Sequence, residues 1–199
     1  MRRFTLIPYG MLSAIVLASA LAACRPTPYE WHGTAYEPAR VAPSITLPAT
    51  DGTTFDIGAS DGRLQLVYFG YIHCPDICPA TLSNIAWVYG ELGPEANRVQ
   101  TVFVTVDPDR DSLLALADYL GSFSEEFLGL RGERGDLQPI LDAYGVYAGL
   151  DASSTSHEIE HSARLFLVDS QGTLRAHYPW DVPRQDLLTD LKHLLDEGA

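Results

Sequence analysis

The chain has 199 residues, 46% of them apolar, with 26 acidic against 13 basic side chains and a formal net charge of −13. That length fits one domain of ordinary size. So acidic a surface argues against nucleic acid or another polyanion as a partner.

Residues 1–23 read as a leader to be excluded from the fold. Arg2 and Arg3 form its basic end, and Met11 to Ala23 is small and apolar. It closes on Leu21-Ala-Ala-Cys24, which resembles a lipobox, small residues before a cysteine that is lipidated and becomes the new N-terminus. The competing reading is a single membrane anchor, for which the apolar stretch is short. Both place the domain outside the cytoplasm, at a membrane surface. Residues 24–42 are rich in proline and small polar residues without periodicity, and read as a flexible membrane tether.

The folded domain is expected over 43–199. Ser44–Leu47 and Thr53–Ile57 flank Asp51-Gly52, a hairpin signal. Leu64 to Tyr71 is an apolar run with the character of a buried strand, and Ala80 to Leu92 has helical spacing on Leu82, Ile85, Ala86 and Tyr89, stopped by Gly93-Pro94. Val99–Val106 is a second buried strand. A helix follows over Ser112–Phe123, then a short strand at Phe127–Arg131, a helix at Asp136–Tyr144 and a polar loop at Ser153–Glu160. Ala163–Asp169 is a third strong strand, Thr173–Tyr178 returns antiparallel after Ser170-Gln-Gly172, and Pro183–Glu197 is an amphipathic helix on Leu187, Leu188, Leu191, Leu194 and Leu195. This alternation predicts an α/β fold with a mixed sheet.

The chemistry concentrates in Gly70-Tyr-Ile-His-Cys-Pro-Asp-Ile-Cys-Pro79. Cys74 and Cys78 stand where a strand gives way to a helix, a place where the helix dipole favours thiolate. Cysteines at i and i+4 share one face of a helical turn, so both sulfurs can reach one ion or each other. A C-x-x-C here would indicate a thioredoxin-like redox pair. The wider spacing equally suits two thiolates on a soft metal, and a plain stabilising disulfide would close too small a loop to constrain much.

Three further patterns need weighing. His157-Glu-Ile-Glu-His161 matches H-E-x-x-H, but that zinc motif needs a helix, and this stretch runs from a polar loop into a strand. Asp107, Asp109 and Asp111 alternate like a calcium loop, yet Ser112 stands where that loop requires glycine. The better reading is a turn and helix N-terminus, with Asp111 capping and Arg110 paired to a carboxylate. His73 and Asp76 flank the cysteines as modulators of thiolate charge or partner contacts. His177 and His193 read as ordinary strand and helix residues.

Cys74-Pro-Asp-Ile-Cys78-Pro79, Val106-Asp-Pro-Asp-Arg-Asp111 and Glu160-His161-Ser162 before a strand, together with the lipobox, resemble the Sco/SenC family of copper-binding, thioredoxin-fold proteins. The resemblance runs from about Pro38 to Glu197. It implies a thioredoxin-like fold with helices on both faces of a mixed central sheet and an N-terminal β-hairpin. It implies copper, Cu(I) or Cu(II), as the ion, with Cys74, Cys78 and His161 as its ligands and Asp76, Asp107 and Asp111 around them. Two thiolates and one imidazole form a donor set that suits Cu(I) and accepts Cu(II). The family's task is assembly of the binuclear copper site of cytochrome c oxidase. The expected partners are therefore the oxidase's copper-binding subunit and other copper chaperones, met at the extracytoplasmic face of a bacterial membrane with the lipid on Cys24 as anchor. The alternative is a thiol–disulfide reductase, with Cys74 and Cys78 as its redox pair, that keeps the oxidase's copper-ligand cysteines reduced. Against it, thioredoxin-like catalysts carry a cis-proline on the loop entering the strand beside their cysteines, and no proline lies between Leu150 and Tyr178. A peroxiredoxin-like peroxidase shares the general fold but fits the cysteine pair poorly.

Overall fold

A computed structural model describes residues 29–59, 61–150 and 159–198. Its frame is a six-stranded sheet in the order β1 (Thr34–Val41), β10 (Thr173–Pro179), β9 (Arg164–Val168), β4 (Leu64–Gly70), β5 (Val99–Thr105) and β6 (Leu128–Leu130). The centre is β4 (Leu64–Gly70), parallel to β5 (Val99–Thr105) on one side and antiparallel to β9 (Arg164–Val168) on the other. Every residue of β4 and β5 is buried, as near-continuous apolar runs require when both faces of a sheet are covered. β6 (Leu128–Leu130) extends the parallel side, and β10 (Thr173–Pro179) and β1 (Thr34–Val41) extend the antiparallel side.

Alternation along β4 divides the core. Leu64, Leu66 and Tyr68 face α1 (Ile77–Leu92), α2 (Leu113–Gly121) and α4 (Arg184–Asp196); Val67 and Phe69 face α3 (Arg134–Tyr144) and a hairpin. That hairpin, β2 (Thr46–Pro48) with β3 (Thr54–Asp56), turns at Gly52, whose φ of +83° suits glycine. It lies across the second face through Ile45, Leu47 and Ala49. The thioredoxin-like arrangement and the hairpin therefore match the expectation from sequence.

Three boundaries differ. Residues 34–41, assigned to the aperiodic tether, form edge strand β1; they are mostly exposed and hold to β10 by backbone pairing around an irregularity between Ala35 and Arg40, so they carry no apolar period to read. The helix at the cysteines starts at Ile77, taking in Cys78 and Pro79, a proline being tolerated in a first turn. Ile159–His161, read as the end of a loop and the start of an inner strand, is instead β8, paired with β7 (Ala148–Leu150) in a separate ribbon. The inner strand itself begins at Arg164. Three-residue strands paired through a distant partner leave no periodic signal. The leader, Cys24 and His157 lie outside the described residues.

A buried carboxylate fastens the start of the folded unit to its last helix. Asp190 on α4 accepts from the backbone N–H groups of His32 (3.1 Å) and Gly33 (3.3 Å) and from the Tyr178 hydroxyl (2.8 Å), with His32 Nδ1 at 2.8 Å. Removing one acceptor from several buried donors leaves them to bear their desolvation cost. Asp190→Ala is expected to destabilise the protein by about 3 kcal/mol, measured as a lowered urea midpoint, whereas Lys192→Ala on the exposed face of the same helix should change it little.

Candidate metal and thiol centre

Strand order sets the site. β4 and β5 are parallel, so the loops after Gly70 and Thr105 leave the same end of the sheet, and the Val106 N–H donates to the Gly70 carbonyl at 2.8 Å. β9 runs antiparallel to β4 with Tyr68 opposite Leu165. The segment entering β9 therefore arrives at that same end. The backbone of His161, three residues before Arg164, belongs to this approach. Ser162 N–H donates to the Tyr147 carbonyl at 2.9 Å, which holds the approach against the end of β7. Ligand sites of open α/β sheets form where strands end in this way.

Cys74 lies in the loop, two residues before the N-cap Asp76, and Cys78 lies in the first turn of α1. They do not share a helical face, as the spacing suggested. Instead the loop curls so that the Cys78 N–H donates to the Cys74 sulfur at 3.4 Å. Both are thiols in this structure. Cys78 is fully buried, while Cys74 is half-buried and packs against the apolar layers on both sides of the sheet. The Tyr68 hydroxyl reaches the Cys78 sulfur at 3.6 Å. Gly70 makes the room: a Cβ there would stand 2.8 Å from that sulfur and 2.9 Å from the Phe103 ring.

The charge balance departs from the helix-dipole expectation. The hydrogen bond to the Cys74 sulfur, burial, and the charge on that sulfur together push the Cys78 thiol well above its ordinary range, against the Tyr71 backbone and Tyr68 hydroxyl contacts. Low dielectric and a neighbouring sulfur outweigh the dipole at this depth. One sulfur is thus accessible and accepts an N–H, and the other is sealed and holds its proton. Tyr119 packs against the same core layer, its ring 6.4 Å from that of Phe103. Burial first, then the charges of Cys78 and Cys74, raise its phenol, and its hydroxyl is buried without a hydrogen-bond partner among the described residues. Tyr68, Gly70 and Tyr119 were not singled out from the sequence. Only Tyr68 had a signal, since strand alternation turns it toward the cysteine helix.

The surrounding carboxylates are sorted by burial. Asp111 is fully buried and does not cap α2, as had been expected; Ser112 does, accepting from the Ala115 N–H at 3.1 Å. The Asp111 Oδ2 accepts instead from the Ile72 N–H (3.1 Å) and the Thr105 hydroxyl (2.6 Å), tying the cysteine loop to the end of β5. Burial raises its carboxyl pKa, opposed by those two bonds. Asp107, also buried, pairs with Arg110 as expected. Asp76 is exposed at the helix N-cap without a side-chain capping bond. His193 contacts Glu197 at 3.3 Å and His177 is half-buried in β10, both as expected.

The sequence matches SCO1/SenC over residues 33–196. The chain belongs to the SCO1/SenC family. An SCO2-like protein of Rickettsia conorii is 31% identical over 157 residues, covering 77% of this chain and 77% of its own. The copper-bound ScoI structure of Bradyrhizobium japonicum is 28% identical with a TM-score of 0.70, covering 77% of this chain and 99% of that one. The structure of BsSco, a Sco-family cytochrome c oxidase assembly protein with a disulfide switch, is 18% identical with a TM-score of 0.63, over 78% and 94% of the chains, and so shares the fold. Among the described residues, no helix is long and apolar enough to cross a membrane.

The asymmetry of this SCO1/SenC thiol pair has a direct consequence. Iodoacetamide should alkylate Cys74 more than about tenfold faster than Cys78 in the native protein, and the rates should converge in urea; mass spectrometry of quenched time points reads both. Gly70→Ala should cost about 1–3 kcal/mol by overpacking Cys78 and Phe103, seen in thermal unfolding of the reduced protein.

Proposed function

We propose that this protein carries copper as cargo, taking it on Cys74, Cys78 and His161 and delivering it to the binuclear copper site of cytochrome c oxidase. The observation that carries this reading is the convergence of two thiols and the backbone approach of residue 161 at one end of the sheet. The donor set fits. Two sulfurs already in mutual contact and a third, nitrogen ligand suit Cu(I), and both oxidation states are accessible to such a set. The copper-bound relative supports the choice of ion. Thiols must lose their protons to bind metal, so Cys78 gives up a tightly held proton on loading. Its buried partners, Tyr68 and Gly70, then keep the sulfur at a fixed depth.

The partner in this reading is the oxidase's copper-binding subunit, with another copper chaperone as donor. Residues 1–23 serve as the leader, Cys24 takes the lipid, and the short segment from there to β1 tethers the domain to the extracytoplasmic face of a bacterial membrane. Cys24→Ser should then block both lipidation and leader removal, read by intact mass of the membrane fraction.

The exposure difference between the two thiols favours thiol–disulfide reduction as a second reading. Cys74 would attack a substrate disulfide, expelling one substrate thiolate. Cys78 would then break the mixed disulfide, releasing the second thiolate and leaving Cys74–Cys78 oxidised, two electrons having passed to the substrate. The absence of a proline before β9 counts against a general catalyst of this type.

His161→Ala separates the readings. It removes a copper ligand and neither sulfur. The expected outcome is strongly weakened Cu(II) binding, partly retained Cu(I) binding, a Cys74–Cys78 disulfide that still forms and reduces, and an oxidase deficient in copper. Normal oxidase copper content in that strain would promote the reductase. Cu(I) loading that is unchanged in Cys74→Ser and in Cys78→Ser would overturn both the ligand assignment and the cargo.

A further inference from the structure

Beside the thiol pair lies a second group of donors that contains no sulfur. One ligand atom each from His73, Asp107 and Asp111 lies within 4.8 Å of the others. Asp111 is wholly buried and its Oδ2 is committed to Ile72 and Thr105, but its Oδ1 has no hydrogen-bond partner among the described residues. A fully buried carboxylate oxygen without a hydrogen bond is costly, and among the described residues it is offset by an ion-pair contact alone. That oxygen faces His73 Nδ1 at 3.3 Å. Two donors bonded tetrahedrally to a zinc-sized ion at ordinary bond lengths stand about 3.4 Å apart.

We propose that His73, Asp107 and Asp111 form a second metal site, for a divalent first-row transition ion, distinct from the sulfur site. Imidazole with two carboxylates is a borderline-to-hard donor set, so it takes Zn2+ or Cu2+ and discriminates against Cu(I). The charge is favourable: Arg110 neutralises one of the two carboxylates through Asp107 Oδ2, and the remaining negative charge attracts a dication. Access runs through His73, whose side chain is 48% exposed, whereas Asp107 and Asp111 are fixed from below. The ends of the site belong to different loops, His73 to the cysteine loop and the two aspartates to the loop after β5. An ion would therefore clamp the segment carrying Cys74 to the sheet.

The test removes the sulfur site first. In a Cys74→Ser/Cys78→Ser protein, calorimetry with Zn2+ alone should show one bound equivalent. Adding His73→Ala, an exposed change that leaves the fold intact, should weaken that affinity by more than about tenfold, and Asp111→Asn should do the same where circular dichroism shows a folded protein. No Zn2+ binding by the double-serine protein, or binding unchanged by His73→Ala, overturns the proposal. Neither result bears on copper at the thiols, which the double-serine variant lacks.

Discussion

The carboxylate of Asp111 is the joint on which the site depends. One oxygen accepts from the cysteine loop through the Ile72 N–H and from β5 through the Thr105 hydroxyl. Beside it the Val106 N–H closes onto the Gly70 carbonyl. Two loops leaving adjacent parallel strands are thus fastened in a place that water does not reach. Bonds of this kind to a charged acceptor in low dielectric are stronger than their surface counterparts, and costlier to leave incomplete. Their effect is positional: they set where the loop carrying Cys74 begins before any metal or disulfide contributes.

From that joint the thiol pair acquires its asymmetry. α1 starts early enough to draw Cys78 beneath the surface, and Gly70 leaves the space that its sulfur fills. Cys74 stays on the loop, half-exposed, receiving the Cys78 N–H. The result is a thiol pair with one accessible sulfur and one sealed sulfur. Under the copper-cargo function proposed above, ligand exchange would start at the accessible sulfur while the buried one maintains the geometry. The phenols of Tyr68 and Tyr119 add no charge of their own, both being pushed upward chiefly by burial.

The β7–β8 ribbon plays the complementary part. It is a separate two-stranded sheet whose Ala148 packs against the second core layer, and it brings the backbone of residue 161 to the strand end by pairing with Ala148.

The sequence by itself determined the α/β alternation, the hairpin, the three buried strands, the amphipathic last helix and the importance of Cys74 and Cys78. Those features rest on local signals: apolar period, Asp-Gly and Gly-Pro punctuation, and two thiols at a strand–helix junction. It also carried the family's motifs, and with them the expectation for His161. Tertiary structure alone decided the rest. Edge strand β1 is mostly exposed and held by backbone pairing, so its membership in the sheet is visible only from β10. Asp111 resembles a helix cap by its place in the chain, yet burial makes it a cross-loop acceptor and leaves the cap to Ser112. The Cys78 thiol sits at a helix start, where the dipole favours thiolate, but its depth and its neighbouring sulfur reverse the sign. The juxtaposition of His73 with Asp107 and Asp111 exists only because β4 and β5 are parallel neighbours. In each case the deciding quantity is burial or a contact between distant segments, which local sequence does not encode.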